Sequence, residues 1–181
     1  MKFFAEIKPK EGAFRVPAVS VVDAGKPSEA LNQVISSWFA DQDISPEGAT
    51  LTPLGGTEYL LGIADREPFP VIAEAKPCTA WEVCGIAEPF SGKPLPPGEE
   101  VWAPSPLVAA ELFVKARLPL YRALDDRNYD VIHGHSRMLE EWTKDSKKHW
   151  RCKVRLASVS MQGGTRYISL GQPLDILVTG L

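Results

Sequence analysis

Two histidines that stand two positions apart are the first candidates for a catalytic or metal-binding site. They lie in the stretch YDVIHGHSRMLEE, as His133 and His135. On a strand, side chains at i and i+2 point to the same face, so the imidazoles could share a metal ion or act as acid and base. The spacing of Cys78 and Cys84 is not one that zinc sites commonly use. We therefore expect no metal and no cofactor, and keep a hydrolase or metal-dependent enzyme centred on His133 and His135 as an alternative.

The third residue of this enzyme alternative is Cys152, which stands among cations in the stretch KDSKKHWRCKV. Neighbouring positive charge lowers the pKa of a thiol and favours the nucleophilic thiolate. A strand through 149–155 would instead place Cys152 on the inner face together with Trp150. No phosphate-binding loop, nucleophile elbow or zinc-protease motif occurs in the sequence. The favoured interpretation is a protein without enzymatic activity.

The same stretch also holds the densest positive charge of an otherwise acidic chain. Residues 144–155 contain six cations and a single carboxylate, whereas the whole chain has a net charge of −3 and a pI of about 5.7. Strand alternation predicts that the cations lie on a solvent-facing side and that Trp150 lies on the other, which separates the aromatic ring from the charges. A nucleic-acid-binding protein that uses the 144–155 patch is therefore an alternative, beside contact with a protein. The candidate binding cations are Lys147, Lys148, Arg151, Lys153 and Arg155.

A proline-rich segment, 88–100, supplies the other candidate binding surface. Its sequence, EPFSGKPLPPGEE, is incompatible with regular helix and biased towards extended structure. Apolar residues in or beside such a segment are plausible anchors for a protein partner. We expect Phe90, Leu95 and Trp102 to form this anchor, unless they fold back and cover the sheet.

The elements that must position these residues are mostly strands. Helices are predicted over 26–43, from Ser105-Pro106 onward and in SRMLEEW, where Ser105 is a favourable N-cap and Pro106 suits the first helical position. Valine-rich or alternating segments predict the strands. These cover 14–22, 49–64 (two strands around a Gly55-Gly56 turn), 80–87, 149–161, 165–170 and 174–180.

The order of elements is similar in the two halves of the chain. A shift of 79 residues places Val22, Ala24, Pro27, Ala30 and Ile35 on Val101, Ala103, Pro106, Ala109 and Val114. We therefore predict an α+β fold made of two related β–α–β-type halves, with a mainly antiparallel sheet and two principal amphipathic helices. The predicted boundaries are an N-terminal half over 1–66, a linker over 67–79 and a C-terminal half over 80–181.

The compartment is predicted from the cysteines and from the lack of long apolar runs. Three cysteines form no dense framework, and the amino terminus lacks a signal-type apolar core. No run approaches the roughly 18 apolar residues of a membrane helix. We expect a cytoplasmic protein that makes no membrane contact and binds a protein partner, as an accessory subunit or an inhibitor. Small proteins without catalytic motifs are frequent in mobile elements and host-defence systems, which suggests such an origin.

Overall fold

The chain folds into two structural units, Met1–Cys78 and Thr79–Leu181. Each unit contains one antiparallel sheet and one principal helix, which confirms the predicted α+β class. A computed structural model describes residues 1–10, 18–40, 49–63, 66–85, 98–119, 129–131, 135–162 and 165–181.

Unit 1 is a five-stranded sheet with a helix on one face. The strands follow the order β2-β1-β5-β4-β3, and α1 packs on β1, β2 and β5. The helix forms where apolar residues recur at helical period, and that stripe is buried against the sheet. Its elements are β1 (Lys2–Pro9), β2 (Ala18–Asp23), α1 (Pro27–Ala40), β3 (Thr50–Gly55), β4 (Glu58–Ile63) and β5 (Arg66–Pro77).

Unit 2 repeats this layered arrangement with a larger sheet. The main path is β7-β6-β11-β10-β8, and β9 also pairs with β10, alongside a different part of that long strand. The helix α2 covers the face that contains the unit's buried core. The elements are β6 (Thr79–Gly85), β7 (Glu99–Ala103), α2 (Pro106–Ala116), β8 (Tyr129–Val131), β9 (Arg137–Lys144), β10 (Lys147–Gln162) and β11 (Thr165–Gly180).

The start of α2 is as the sequence predicts. Ser105 has extended backbone dihedrals, and its hydroxyl accepts a hydrogen bond from the Val108 amide at 3.3 Å. Pro106 occupies the first turn, where the missing N–H has no partner to lose. The apolar residues Ala109, Ala110, Phe113 and Val114 form the buried face of α2.

The predicted linker is wrong, because most of 67–79 belongs to β5. This strand lies between β1 and β4 and is paired with both. The end of the predicted loop 88–100 is also strand, since β7 begins at Glu99, while residues 86–97 lie outside the described part.

Two further element predictions need correction. The segment SRMLEEW is not a helix, since β9 runs through Arg137–Lys144 and pairs with β10. The two predicted strands 165–170 and 174–180 are one strand, β11, which follows β10 around a register shift between Arg155 and Ala157. Each unit also contains more strands than a β–α–β half, because two strands precede its helix and several follow it.

Neither α1, with 14 residues, nor α2, with 11, is long enough to cross a membrane, and the described residues contain no apolar helix that is.

Candidate functional site

The predicted alternation of β10 is confirmed. Trp150, Cys152 and Val154 are buried on the face covered by α2. The residues between them, from His149 to Arg155, are partly exposed on the opposite face, which we call the outer face of unit 2. The long strand therefore separates a core side from a charged side, as period-two geometry requires.

Arg151 is held by neighbouring strands. Its guanidinium donates a 2.7 Å hydrogen bond to Asp175 of β11 and lies 4.0 Å from Glu140 of β9. The hydrogen bond and the charge of Asp175 raise the pKa of Arg151 above its usual value. Arg151 therefore ties three strands together and is less available to a ligand than the sequence suggests.

Lys148 is also paired within the hairpin formed by β9 and β10. It lies 3.1 Å from Glu141, whose carboxylate also accepts a hydrogen bond from Trp150. Lys147, Lys153 and Arg155 have no ion pair to a described residue. The five predicted cations thus divide into two that stabilise the hairpin and three that face outward without such a partner.

Acidification should loosen this hairpin. Contacts with Lys148 and Trp150 hold the pKa of Glu141 below its usual value of 4.5. A carboxylate with a lowered folded-state pKa stabilises the fold fully above the unfolded-state pKa and loses that effect as pH falls through the folded-state pKa. We therefore expect amide protection in β9 to weaken as pH is lowered from 5 to 3, measured by hydrogen exchange and NMR. In a Glu141→Gln control, the β9 amides should show little change over this range; an equal change in both proteins would contradict the assignment.

The strand β9 exposes apolar residues that sequence reasoning missed. All eight of its residues are exposed, and Met138, Leu139 and Trp142 remain 48%, 41% and 38% accessible. The letters RMLEEW suggest helix because apolar and charged residues alternate at helical intervals. The available strand signal was the Asp145-Ser146 pair, a two-residue turn with both φ angles positive, which closes a tight hairpin.

Trp142 forms an aromatic platform with His149 on the outer face. The two residues are directly opposed across the strands, and their rings stack with centroids 5.5 Å apart and planes at 18°. His149 Nδ1 lies 3.0 Å from the Thr179 hydroxyl and its Nε2 lies 3.4 Å from the Lys144 carbonyl. Because a carbonyl only accepts, Nε2 donates in the neutral ring and Nδ1 accepts from Thr179. The prediction that Trp150 is separated from the cations is confirmed, and Trp142 of β9 adds an aromatic ring to the outer face that the sequence did not indicate.

The histidine and cysteine residues of the enzyme alternative are not assembled in the described structure. His133 lies outside the described residues, and His135 is exposed, two residues before β9 begins. Ser136 is buried and accepts a 3.2 Å hydrogen bond from the Arg155 amide, which supports β10 near its register shift. The described residues contain no group of three or more side chains suited to hold a metal ion.

Cys152 is not an activated thiol. It is fully buried, and desolvation together with the negative charge of Glu111 raises its pKa to about 11. The expectation that nearby cations lower this pKa is wrong, because those side chains point to the other face of β10. Cys152 acts as a small core residue.

Alkylation should distinguish this cysteine from the others. All three cysteines are free, and Cys84 is the most accessible of them. We expect iodoacetamide at pH 8 to modify Cys84 first and to leave Cys152 unmodified until the protein unfolds, because the reaction requires an accessible thiolate. Peptide mass spectrometry with and without denaturant measures this order. Modification of native Cys152 at the rate of Cys84 would contradict it.

Of the three residues predicted for the proline-rich surface, the structure describes only Trp102. Phe90 and Leu95 lie outside the described residues. Trp102 lies on β7, is partly buried and donates its indole N–H to Glu100 at 2.8 Å. These three residues are therefore not shown to form one surface, and their role as a partner anchor stays a prediction.

Unit 1 contains an open cavity of about 320 Å³ between α1 and β3. Among the described residues, its lining includes Asn32, Ser36 and Thr50 and no ionisable side chain. Ligand sites usually enclose most of the ligand within apolar walls, whereas this cavity is open. The β9–β10 hairpin is therefore the stronger candidate.

Comparison with known proteins identifies no relative of the chain. No protein-family model, curated protein or solved structure matches it. Function is accordingly inferred from the residues and geometry described above.

Proposed function

We propose that this chain is a non-enzymatic cytoplasmic protein that binds a protein partner through the β9–β10 hairpin. It would act as an accessory subunit or an inhibitor, of the kind that mobile elements and host-defence systems carry. The observation that carries the proposal is the exposure of Met138, Leu139 and Trp142 on one eight-residue strand. By register, Trp142 lies opposite His149 on the outer face and Met138 lies opposite Cys152 on the inner face, so both sides of this strand expose an apolar side chain. Several large apolar side chains exposed on one short strand are typical of interaction sites, whereas isolated ones are ordinary surface.

The distribution of exposed apolar residues supports this location. The other large ones among the described residues are Met1, Leu54 and Leu181. Two of these are the terminal residues, and Leu54 lies beside the turn between β3 and β4. β9 therefore holds three of the six large apolar side chains that are exposed among the described residues.

The charge of the hairpin indicates an acidic partner surface. Residues 137–155 contain seven cations and three carboxylates in a chain whose net charge is −3. Two of those carboxylates, Glu140 and Glu141, lie within 4.0 Å of cations of the hairpin itself. Cations at an interface rim mainly raise the association rate and select partners of opposite charge.

A cytoplasmic location is supported by the three free cysteines, two of them buried. Buried thiols without disulfide partners are common where the compartment is reducing.

The relation between the two units is also a proposal, and it is supported by the position of the helices. α1 begins at Pro27 and α2 at Pro106, which differ by the 79 residues of the sequence match. Both sheets place the strand pair before the helix at one side and the later strands at the other. The buried helix positions also correspond under this shift: Ala30 with Ala109, Leu31 with Ala110, Val34 with Phe113, and Ile35 with Val114.

Nucleic-acid binding is the second candidate, and the Trp142–His149 stack favours it. This stack lies on the same face as Lys153 and Arg155, a combination found in single-strand binding surfaces. A labelled single-stranded oligonucleotide should then bind with an affinity that falls steeply with salt. Binding that is unchanged by Lys153→Glu with Arg155→Glu would remove this candidate.

Site-specific photo-crosslinking tests the protein-binding function. A photoreactive amino acid at Leu139 should capture one protein from native lysate in near-equal amount, and nuclease treatment should not affect the capture. The matched control places the same group at Leu54, an exposed leucine of unit 1.

The proposal predicts capture at Leu139 and not at Leu54. The same set of products from both positions would indicate indiscriminate contact and contradict it. Loss of all products after nuclease treatment would favour the nucleic-acid candidate instead.

A further inference from the structure

We propose that the free edge of β9 is completed by an extended acidic segment of the partner, which adds as a further strand to the sheet of unit 2. This inference rests on the proposed protein-binding function and specifies its mode. Within the described part of the chain, β9 is paired only with β10, and all eight of its residues are exposed. An edge strand of this kind presents unpaired backbone N–H and C=O groups that a peptide can pair with.

The hairpin geometry identifies the backbone groups that face the open edge. The two-residue turn Asp145-Ser146 makes Lys144 and Lys147 the closing pair. In an antiparallel ladder, hydrogen-bonded and non-hydrogen-bonded pairs alternate from that point. Trp142 therefore directs its backbone groups to His149, while Thr143 and Glu141 direct theirs away from β10.

The edge of β9 is only partly protected against pairing with other chains. Natural edge strands are shielded by charges, proline or bulges, because a flat apolar edge invites pairing with other chains. β9 has cations near its ends, at Arg137 and Lys144, and a register shift beside Leu139. Between them, however, its side chains include Met138, Leu139 and Trp142. The middle of the strand is Glu140-Glu141, which lie within 4.0 Å of Arg151 and Lys148 of β10. This arrangement hinders indiscriminate pairing and leaves apolar side chains on either side of that pair for one fitted strand.

Charge selects the occupant. β9 itself carries two cations and two carboxylates, but the whole hairpin 137–155 has seven cations and three carboxylates. A second copy would bring two hairpins of the same net positive charge together, which disfavours self-association. An acidic segment would instead meet Arg137 and Lys144, which have no ion pair to a described residue. A nucleic acid has phosphate oxygens to accept from the outward N–H groups but no regular ladder of donors for the outward C=O groups. A polypeptide strand provides both.

Proline at position 143 gives the decisive variant. Thr143→Pro removes the N–H of residue 143. Because this N–H points away from β10, no hydrogen bond between β9 and β10 is lost, and proline is tolerated at such positions of an edge strand. Thr143→Ala is the matched control because it shortens the side chain and keeps the N–H. An intact Trp142–His149 contact, seen as a cross-strand NOE, verifies that the hairpin is retained.

The probe is a blocked eight-residue peptide in which glutamate alternates with threonine, titrated into the full chain and followed by NMR. A lysine–threonine peptide of the same length is the charge control. We expect the acidic peptide to shift the Glu141 and Thr143 amides and to slow their hydrogen exchange. Thr143→Pro should weaken its binding at least tenfold, and Thr143→Ala should leave it within about twofold, since a tenfold change corresponds to roughly 1.4 kcal/mol.

The two proposals fail differently. If the crosslinked partner binds normally to Thr143→Pro, strand addition is wrong while the protein-binding function stands. If no partner is captured at Leu139, the proposed function is wrong. Equal shifts with the lysine peptide would overturn the acidic specificity, and a concentration-dependent dimer in sedimentation would assign the edge to a second copy. If the Thr143→Pro variant loses the cross-strand NOE, the test becomes hydrogen exchange of the Glu141 and Thr143 amides in the wild-type chain bound to the acidic peptide. Exchange rates that the peptide does not change would overturn the inference.

Discussion

Trp150→Ala should lower the free energy of unfolding of unit 2 by about 3–5 kcal/mol, the range for removing a large aromatic side chain from a core. Trp150 is 8% exposed and belongs to the same buried cluster as Phe113 of α2 and Ile176 of β11. Its ring meets Trp81 edge-to-face, with centroids 5.3 Å apart. Alanine would remove both contacts and leave the Glu141 carboxylate without its indole donor.

Hydrogen exchange of the β10 and β11 amides measures this loss within unit 2, where whole-chain denaturation would mix the two units. Trp150→Phe keeps a ring in the core and should cost less than alanine. Leu54→Ala changes an exposed residue of unit 1 and should leave the unit 2 amides unaffected. An exchange stability within 1 kcal/mol of wild type for Trp150→Ala would show that this core does not depend on the indole.

The parts of the fold that the sequence predicts correctly are those with strong local signals. β10 alternates apolar and charged residues over its first half, and strand geometry alone converts that alternation into two faces. α2 begins where a capping serine precedes a proline, because both residues satisfy the unpaired groups of a first helical turn. Neither result depends on distant residues.

The error at β5 has a different cause. The prolines of REPFPVIAEAKP suggest a linker, since proline removes a ladder donor. In the structure, β4 pairs with the first part of β5, from Arg66 to Ile72, and β1 pairs with Val71–Pro77. Among the described residues, Pro68 therefore has a paired strand on one side only, which is the position where a strand tolerates proline. Pro70 lies just beyond the β1 pairing, where its carbonyl accepts a hydrogen bond from the Lys10 amide and no donor is needed. Only the pairing partners reveal this.

The site shows the same limit. The sequence places the cations on an exposed face, and the structure agrees. The sequence cannot show that Arg151 pairs with Asp175, 24 residues away, or that Trp142 stacks on His149 across the hairpin. Helical spacing in RMLEEW competes with the cross-strand pairs Trp142–His149 and Glu141–Lys148, and those pairs exist only once the turn has formed. Tertiary context therefore decides both the element and the site.

Trp142→Ala is expected to weaken binding of the crosslinked partner by roughly 30-fold or more, the effect of losing an interface residue worth about 2 kcal/mol. Tryptophan is enriched among such residues because it offers a large rigid surface, and here stacking on His149 already fixes the ring. The cost to stability should be about 1 kcal/mol or less, since the ring is 38% exposed and its contact is one cross-strand pair.

Titration of the purified partner by calorimetry measures the affinity, and exchange of the β10 amides measures the stability. Leu54→Ala, which changes an exposed apolar residue of unit 1, should leave both unchanged. The contrast between the two hairpin tryptophans is the discriminating result: Trp150 should act on folding, and Trp142 on binding. Retained affinity in folded Trp142→Ala would mean that the exposed face of the hairpin is not the contact surface, whatever partner the chain binds.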